Sequence, residues 1–102
     1  MKLCYYFLEG RKIVRTSDVN EFGRCIENIA GRTVQKTRIG VAEVSTVFVG
    51  IDHNFSSSGP PLLFETMIFG GEHDEYQERY STWEEAEEGH ERAVAKARAG
   101  WR

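Results

Sequence analysis

Apolar positions recur along this chain with two different periods, and the points where the period changes divide it into elements. Residues 3–8, Leu-Cys-Tyr-Tyr-Phe-Leu, are rich in aromatic side chains that favour a pleated strand. Glu9-Gly10-Arg11-Lys12 reads as a turn and Ile13-Val14 as a short return strand, which makes an N-terminal β-hairpin. Thr16, Ser17 and Asp18 are each suited to cap a helix. Val19, Phe22, Cys25 (or Ile26) and Ile29 then follow at spacings of three and four, the apolar stripe of a helix reaching to about Asn28. Gly31 is a stop signal for that helix, and Gly23 inside it costs about 1 kcal/mol of helix propensity.

Beyond Arg32 the period falls to two. Thr33, Val34 and Thr37 share residues 32–38 with long polar side chains, as on a half-exposed strand that Gly40 breaks. Residues 41–51 and 62–69 are the strongest strand signals. In the first, Val47 and Val49 oppose Val44 and Phe48; in the second, Leu63, Met67 and Phe69 oppose Leu62, Phe64 and Ile68. Apolar residues on both faces predict strands that lie centrally and are covered, at least in part, on both sides. The connection from Asp52 to Pro61 is rich in turn formers and closed by two prolines. Gly70-Gly71 ends the second strand, and a charged loop follows. Thr82 with Glu85, or Ser81 with Glu84, then forms a capping box for a helix running to about Ala99, with Gly100 as its stop. Trp83, Ala86, His90, Ala93, Val94 and Ala97 make one seam on it. The predicted fold is α+β: an N-terminal β-hairpin, a helix, a three-stranded antiparallel meander, and a C-terminal amphipathic helix packed on the sheet.

With 102 residues there is room for one domain, 1–102, around one main core. The net charge of −3 hides a polarity, since residues 1–50 carry +3 and residues 51–102 carry −6. No stretch has the roughly 18–20 apolar residues that a membrane-spanning helix needs. Residues 1–10 lack the apolar segment and small-residue cleavage site of a signal peptide, so a cytoplasmic location is expected. Cys4 and Cys25 fit that compartment as free thiols, and neither lies in a CxxC pair.

Candidate chemistry is sparse. Asp52 and His53, at the end of the first strong strand, could form a carboxylate–imidazole pair for acid–base work, although neighbours on a strand point to opposite faces. The bland alternative has Asp52 and Asn54 bonding loop amides while His53 packs. Glu65 interrupts an apolar strand and needs a partner, for which Arg79, Arg32 and Arg38 are candidates; otherwise it lies at the bottom of a pocket rimmed by the 52–61 loop. His90 sits on the helix seam, where a packed imidazole is commoner than a ligand. Glu72-His73-Asp74 reads as a solvated loop, and the spacing of the histidines does not make a metal motif, so no metal or other cofactor is expected. There is no phosphate-cradling glycine loop, and a surplus of +3 among Arg11, Lys12, Arg15, Arg24, Arg32, Lys36 and Arg38 is too small to predict direct nucleic-acid binding. From Glu72 to Glu91, by contrast, nine carboxylates stand against one Arg79. Glu75, Glu78, Glu84, Glu85, Glu87, Glu88 and Glu91 are the candidate partner-binding set, able to steer a basic surface. The competing explanation is a solvated helix whose early acids and late bases suit the macrodipole.

The run Val44-Ser45-Thr46-Val47-Phe48-Val49-Gly50-Ile51-Asp52-His53-Asn54-Phe55, then Gly59 to Phe69, then Glu78-Arg79-Tyr80-Ser81-Thr82-Trp83-Glu84-Glu85-Ala86 to His90, resembles a family of small, uncharacterised bacteriophage, prophage and bacterial proteins. The resemblance covers residues 44–95. It implies a phage-type accessory protein and brings no reaction with it. Three readings follow. The first is a non-enzymatic binding protein acting on a host protein or protein–nucleic-acid complex through its acidic face, with inhibition of a host defence such as CRISPR as one concrete form. The second is a small-ligand or metal-dependent enzyme with a pocket around Asp52, His53 and Glu65, to which His90 is an optional addition. The third is a homo-oligomeric structural component of a phage particle or replication complex.

Overall fold

A computed structural model describes residues 5–52 and 58–100. Their order is β1 (Tyr5–Glu9), β2 (Lys12–Thr16), α1 (Val19–Glu27), α2 (Ile29–Arg32), β3 (Thr33–Ile39), β4 (Ala42–Phe48), β5 (Phe64–Phe69), β6 (Gln77–Tyr80) and α3 (Trp83–Gly100). The chain is α+β, as its hydrophobic periods predict. A two-stranded hairpin, β1–β2, stands beside a four-stranded antiparallel sheet in the order β3-β4-β5-β6.

That sheet has one strand more than the predicted meander. β6 fell in the charged loop of the sequence reading, because Gln77-Glu78-Arg79-Tyr80 shows no apolar alternation. An edge strand needs only one neighbour, and β6 takes its register from β5, with Thr66 opposite Glu78 and Phe64 opposite Tyr80. The α1 helix ends at Asn28, as the sequence suggests, and a separate short helix follows it. Asp18 Oδ1 accepts from Asn20 N at its start, and Asn28 Oδ1 accepts from Gly31 N to begin the short α2. Asn28 therefore ends one helix and caps the next.

The β4 and β5 strands lie centrally, but they are deeply covered on one face. Ala42, Val44, Thr46 and Phe48 of β4, with Phe64, Thr66 and Ile68 of β5, are buried beneath α3. The alternate residues Glu43, Ser45, Val47, Glu65 and Met67 are half-buried, and Phe69 is 49% exposed. Among the described residues the second face is therefore covered only in part, and the hairpin packs against the α3 side. Leu8, Ile13 and Tyr6 join Phe48, Leu63, Phe64, Tyr80 and Ala86 there.

The α3 helix is fixed at its start by the anticipated capping box. Thr82 Oγ1 accepts from Glu85 N at 3.0 Å, and Glu85 Oε1 accepts from Thr82 N at 3.1 Å and from Ser81 N at 3.2 Å. Its inward residues are Ala86, Gly89, His90, Ala93, Val94 and Ala97. Gly89 is required by contact, since a Cβ there would overlap the Tyr80 ring.

The core beneath α3 falls into two apolar clusters. Ile39, Ala42, Val44, Ile68, Ala93, Val94 and Ala97 form a small-residue, aliphatic one. Phe48, Leu63, Phe64, Tyr80 and Ala86 form an aromatic one, with the Phe48 and Phe64 rings edge to face at 5.2 Å.

Candidate functional site

Between these clusters runs a polar row. Gln35, Thr46, Thr66 and Glu78 lie opposite one another across the four strands, on the face that meets α3. His90 comes down onto the row from the helix, fully buried. Its Nδ1 is 2.7 Å from Thr46 Oγ1 and its Nε2 is 2.8 Å from Thr37 Oγ1, while Thr46 and Thr66 share a further hydroxyl–hydroxyl bond at 2.5 Å. A neutral imidazole donates through one nitrogen and accepts through the other, and hydroxyls can answer either way. Both ring nitrogens are therefore satisfied without water or metal. Burial lowers the His90 pKa, and the Glu91 carboxylate beside it pulls the other way. The ring is a structural tie between helix and sheet.

Glu78, at the β6 end of the row, is also committed internally. It accepts from Tyr76 Oη at 2.7 Å and from Arg92 Nη2 at 3.0 Å. Burial alone would raise its pKa, but these donors outweigh it and hold the carboxyl below its ordinary value. The Tyr76 phenol is pushed up to about 12 by burial and by that same bond.

An enzyme site of the kind the sequence allows brings Asp52, His53 and Glu65 together, with His90 as an optional addition. His53 lies outside the described residues, as does Cys4. Asp52 Oδ1 accepts from Leu62 N at 2.9 Å, across the base of the connecting loop, which is the local backbone role open to it from sequence. Glu65 alternates with the buried Phe64 and Thr66, so it lies on the opposite face of the sheet from His90. There Arg79 Nε and Gln77 Nε2 donate to its Oε2 at 3.0 and 2.7 Å. Arg79 is one of the three partners the sequence offered. Glu65 and His90 are thus separated by the sheet itself and do not form a common site. Among the described residues no group of three His, Cys, Asp or Glu side chains is placed to hold a metal ion. Cys25 is a half-buried free thiol.

The predicted acidic set divides by what its members already do. Glu78 is held by Tyr76 and Arg92, and Glu85 is consumed by the capping box. Glu75 occupies a turn at φ 72°, where its amide bonds Ile68 O. Glu84, Glu87, Glu88 and Glu91 remain. With Gln35 of β3 they line an open groove of about 440 Å³ along α3, and none of the four forms an ion pair among the described residues. The sequence located the acidic density but could not separate these four from the carboxylates with internal partners, because Arg92 and Tyr76 reach Glu78 only through the fold.

The geometry defines a protein of one antiparallel sheet and one capping helix, braced at one end by a hairpin and two short helices. Comparison of the chain with protein-family models, with curated proteins and with solved structures finds no match. No helix among the described residues is long and apolar enough to cross a membrane.

Proposed function

We propose that the protein is a non-enzymatic binding module whose α3 groove, lined by Glu84, Glu87, Glu88 and Glu91, receives a basic surface of a macromolecular partner. The observation that carries this reading is that four exposed carboxylates line one groove without a compensating cation, while Glu78 and Glu85 are used internally. Such a field raises encounter rates with a cationic surface and disfavours acidic ones. His90 is held between Thr37 and Thr46 by hydrogen bonds at both ring nitrogens. The resemblance of residues 44–95 to phage and prophage proteins supports a phage-type accessory role on a host protein or protein–nucleic-acid complex, in which an acidic face occupies a nucleic-acid channel. Inhibition of a host defence complex is one form of that role.

The test is affinity capture from host lysate with the natural chain and with a variant carrying Glu84→Lys, Glu87→Lys, Glu88→Lys and Glu91→Lys. Circular dichroism should give the same helix and sheet content for both, since all four side chains point to solvent. The natural chain should retain a basic partner that the variant loses, and capture should weaken with salt. Recovery of the same partner by the variant would remove the acidic groove from the interaction.

A further inference from the structure

A second groove, of about 380 Å³, lies between β1 and the α1–α2 corner, and its chemistry is the reverse of the first. Phe7 and Leu8 supply an apolar wall, and Arg24, Asn28 and Arg32 supply hydrogen-bond donors. Arg32 is half-buried, with Nε donating to Ile26 O at 3.0 Å and Nη1 to Phe48 O at 3.1 Å. These two carbonyls fix the guanidinium plane but do not neutralise its charge, and no carboxylate among the described residues pairs with it. Its remaining N–H groups form a preset fork of the kind that matches a carboxylate or phosphate. Asn28 spends its side-chain oxygen on Gly31 N at 3.0 Å, which leaves its amide NH2 as the free end. Arg24, exposed on α1, adds a second positive charge. The wall's one carboxylate, Glu21, is engaged by the Thr16 hydroxyl at 2.8 Å.

We propose that this groove binds the oxyanion of a small amphipathic ligand. A carboxylate or phosphate head sits against Arg32, Arg24 and the Asn28 amide, and an apolar body lies on Phe7 and Leu8. The site is distinct from the acidic groove in both location and charge, and it does not depend on the function assigned to that groove. A guanidinium already immobilised by backbone carbonyls loses little further entropy on binding, so it suits a pre-organised recognition site.

The experiment is a nuclear magnetic resonance titration of the isotope-labelled full chain with benzoate and with phenyl phosphate, against sodium chloride at matched ionic strength. At least one probe should give saturable shifts centred on Leu8, Arg24, Asn28, Gly31 and Arg32, and the tighter of the two identifies the head group. Acetate and inorganic phosphate, which lack the apolar body, should bind more weakly than their aromatic counterparts. Arg24→Gln should weaken binding at least about tenfold, the loss expected from one charge-assisted hydrogen bond. Arg32→Gln also frees the Ile26 and Phe48 carbonyls and could loosen the fold, so the exposed Arg24 carries the mutational test. Shifts that follow ionic strength alone overturn the proposal. So do shifts centred on Arg79, Arg92 or Lys96, or an Arg24→Gln chain that binds as the natural one does.

Discussion

The N-terminal unit, residues 5–32, and the unit formed by the sheet with α3 are built from similar proportions of apolar residues but bury them very differently. No described side chain from Tyr5 to Arg32 is fully buried, whereas every buried residue falls between Ile39 and Ala97. In the N-terminal unit Phe22 stacks on Tyr5 at 4.7 Å, and Leu8, Ile13 and Cys25 rest on the edge of the aromatic cluster. Few ties join the units. Tyr6 N donates to Gly50 O at 3.0 Å, Arg32 reaches Phe48 O, and Arg11 lies over the Trp83 ring at 4.9 Å. The contrast teaches that an amphipathic stripe guarantees contact but not enclosure. Enclosure needs a second layer on the far side, and among the described residues α1 has none. Regions with half-buried contacts of this kind open at lower free energy than the core, and binding grooves are commonly drawn from them.

The largest effect should come from the better-enclosed unit. Phe64→Ala removes a fully buried ring that meets both Phe48 and Trp83 edge-on, and should lower stability by about 3–5 kcal/mol in urea unfolding. Leu8→Ala, on a half-buried position of the hairpin, should lower it by about 1 kcal/mol. Equal losses at the two positions would erase the distinction between the units. Gly50→Ala probes the junction itself. Gly50 has φ 75°, and a Cβ would come to 2.7 Å from the Phe22 ring and 2.8 Å from Tyr6 O. The strain should amount to about 1–3 kcal/mol and act locally. Hydrogen exchange should quicken at Tyr6 and Phe22 while Val44 and Ile68 keep their protection. Uniform loss of protection would instead mean that the two units unfold as one block.

The smallest effect tests the polar row within the core. Because burial lowers the His90 pKa, the unfolded chain binds a proton more readily than the folded one. Stability from this group is fully present above the ordinary histidine pKa and is lost as pH falls through the lowered one, with a slope of at most ~1.4 kcal/mol per pH unit. Glu91 opposes the shift, and the groups meeting the ring from β3 and β4 are the neutral hydroxyls of Thr37 and Thr46. Urea titrations between pH 7 and pH 5 should therefore show a decline that His90→Gln flattens. Glu78, whose folded pKa is also lowered, acts in a more acidic window: its contribution is present above the ordinary carboxyl range and fades below it. A decline that persists unchanged in the His90 variant would place its origin elsewhere.

Much of this arrangement is written locally in the chain. The α3 seam, its capping box, the hairpin turn at Gly10 and the two central strands each depend on neighbours within a few residues, and the periods and caps expose them. What escaped depends on partners far apart in sequence. β6 is held by the register of β5, and its inward residues are Glu78 and Tyr80, whose alternation is masked by charge. Thr46 and Thr66 share the parity of Val44, Phe48, Phe64 and Ile68, so their inward direction was available. Their meeting with each other and with His90 was not, because it depends on the register of β4 against β5 and on the rotation of α3. The groove beside Arg32 escaped for the same reason: its guanidinium is positioned by Ile26 O and by Phe48 O, the latter 16 residues away.

The Thr37, Thr46, Thr66 and His90 quartet also acts as an alignment key. If α3 moved by one turn, or β5 slipped by two residues, the imidazole and hydroxyls would face Val44, Ile68 or Phe64, leaving polar atoms unanswered in an apolar interior. Packing of alanines and valines alone tolerates such sliding, since one small apolar residue replaces another at little loss. The quartet therefore makes three strands and a helix interdependent in their permitted replacements. A change at one of these four positions survives best when matched at the others. A chain diverged beyond sequence similarity could then still be linked to this fold by two facing threonines and a histidine one layer above them.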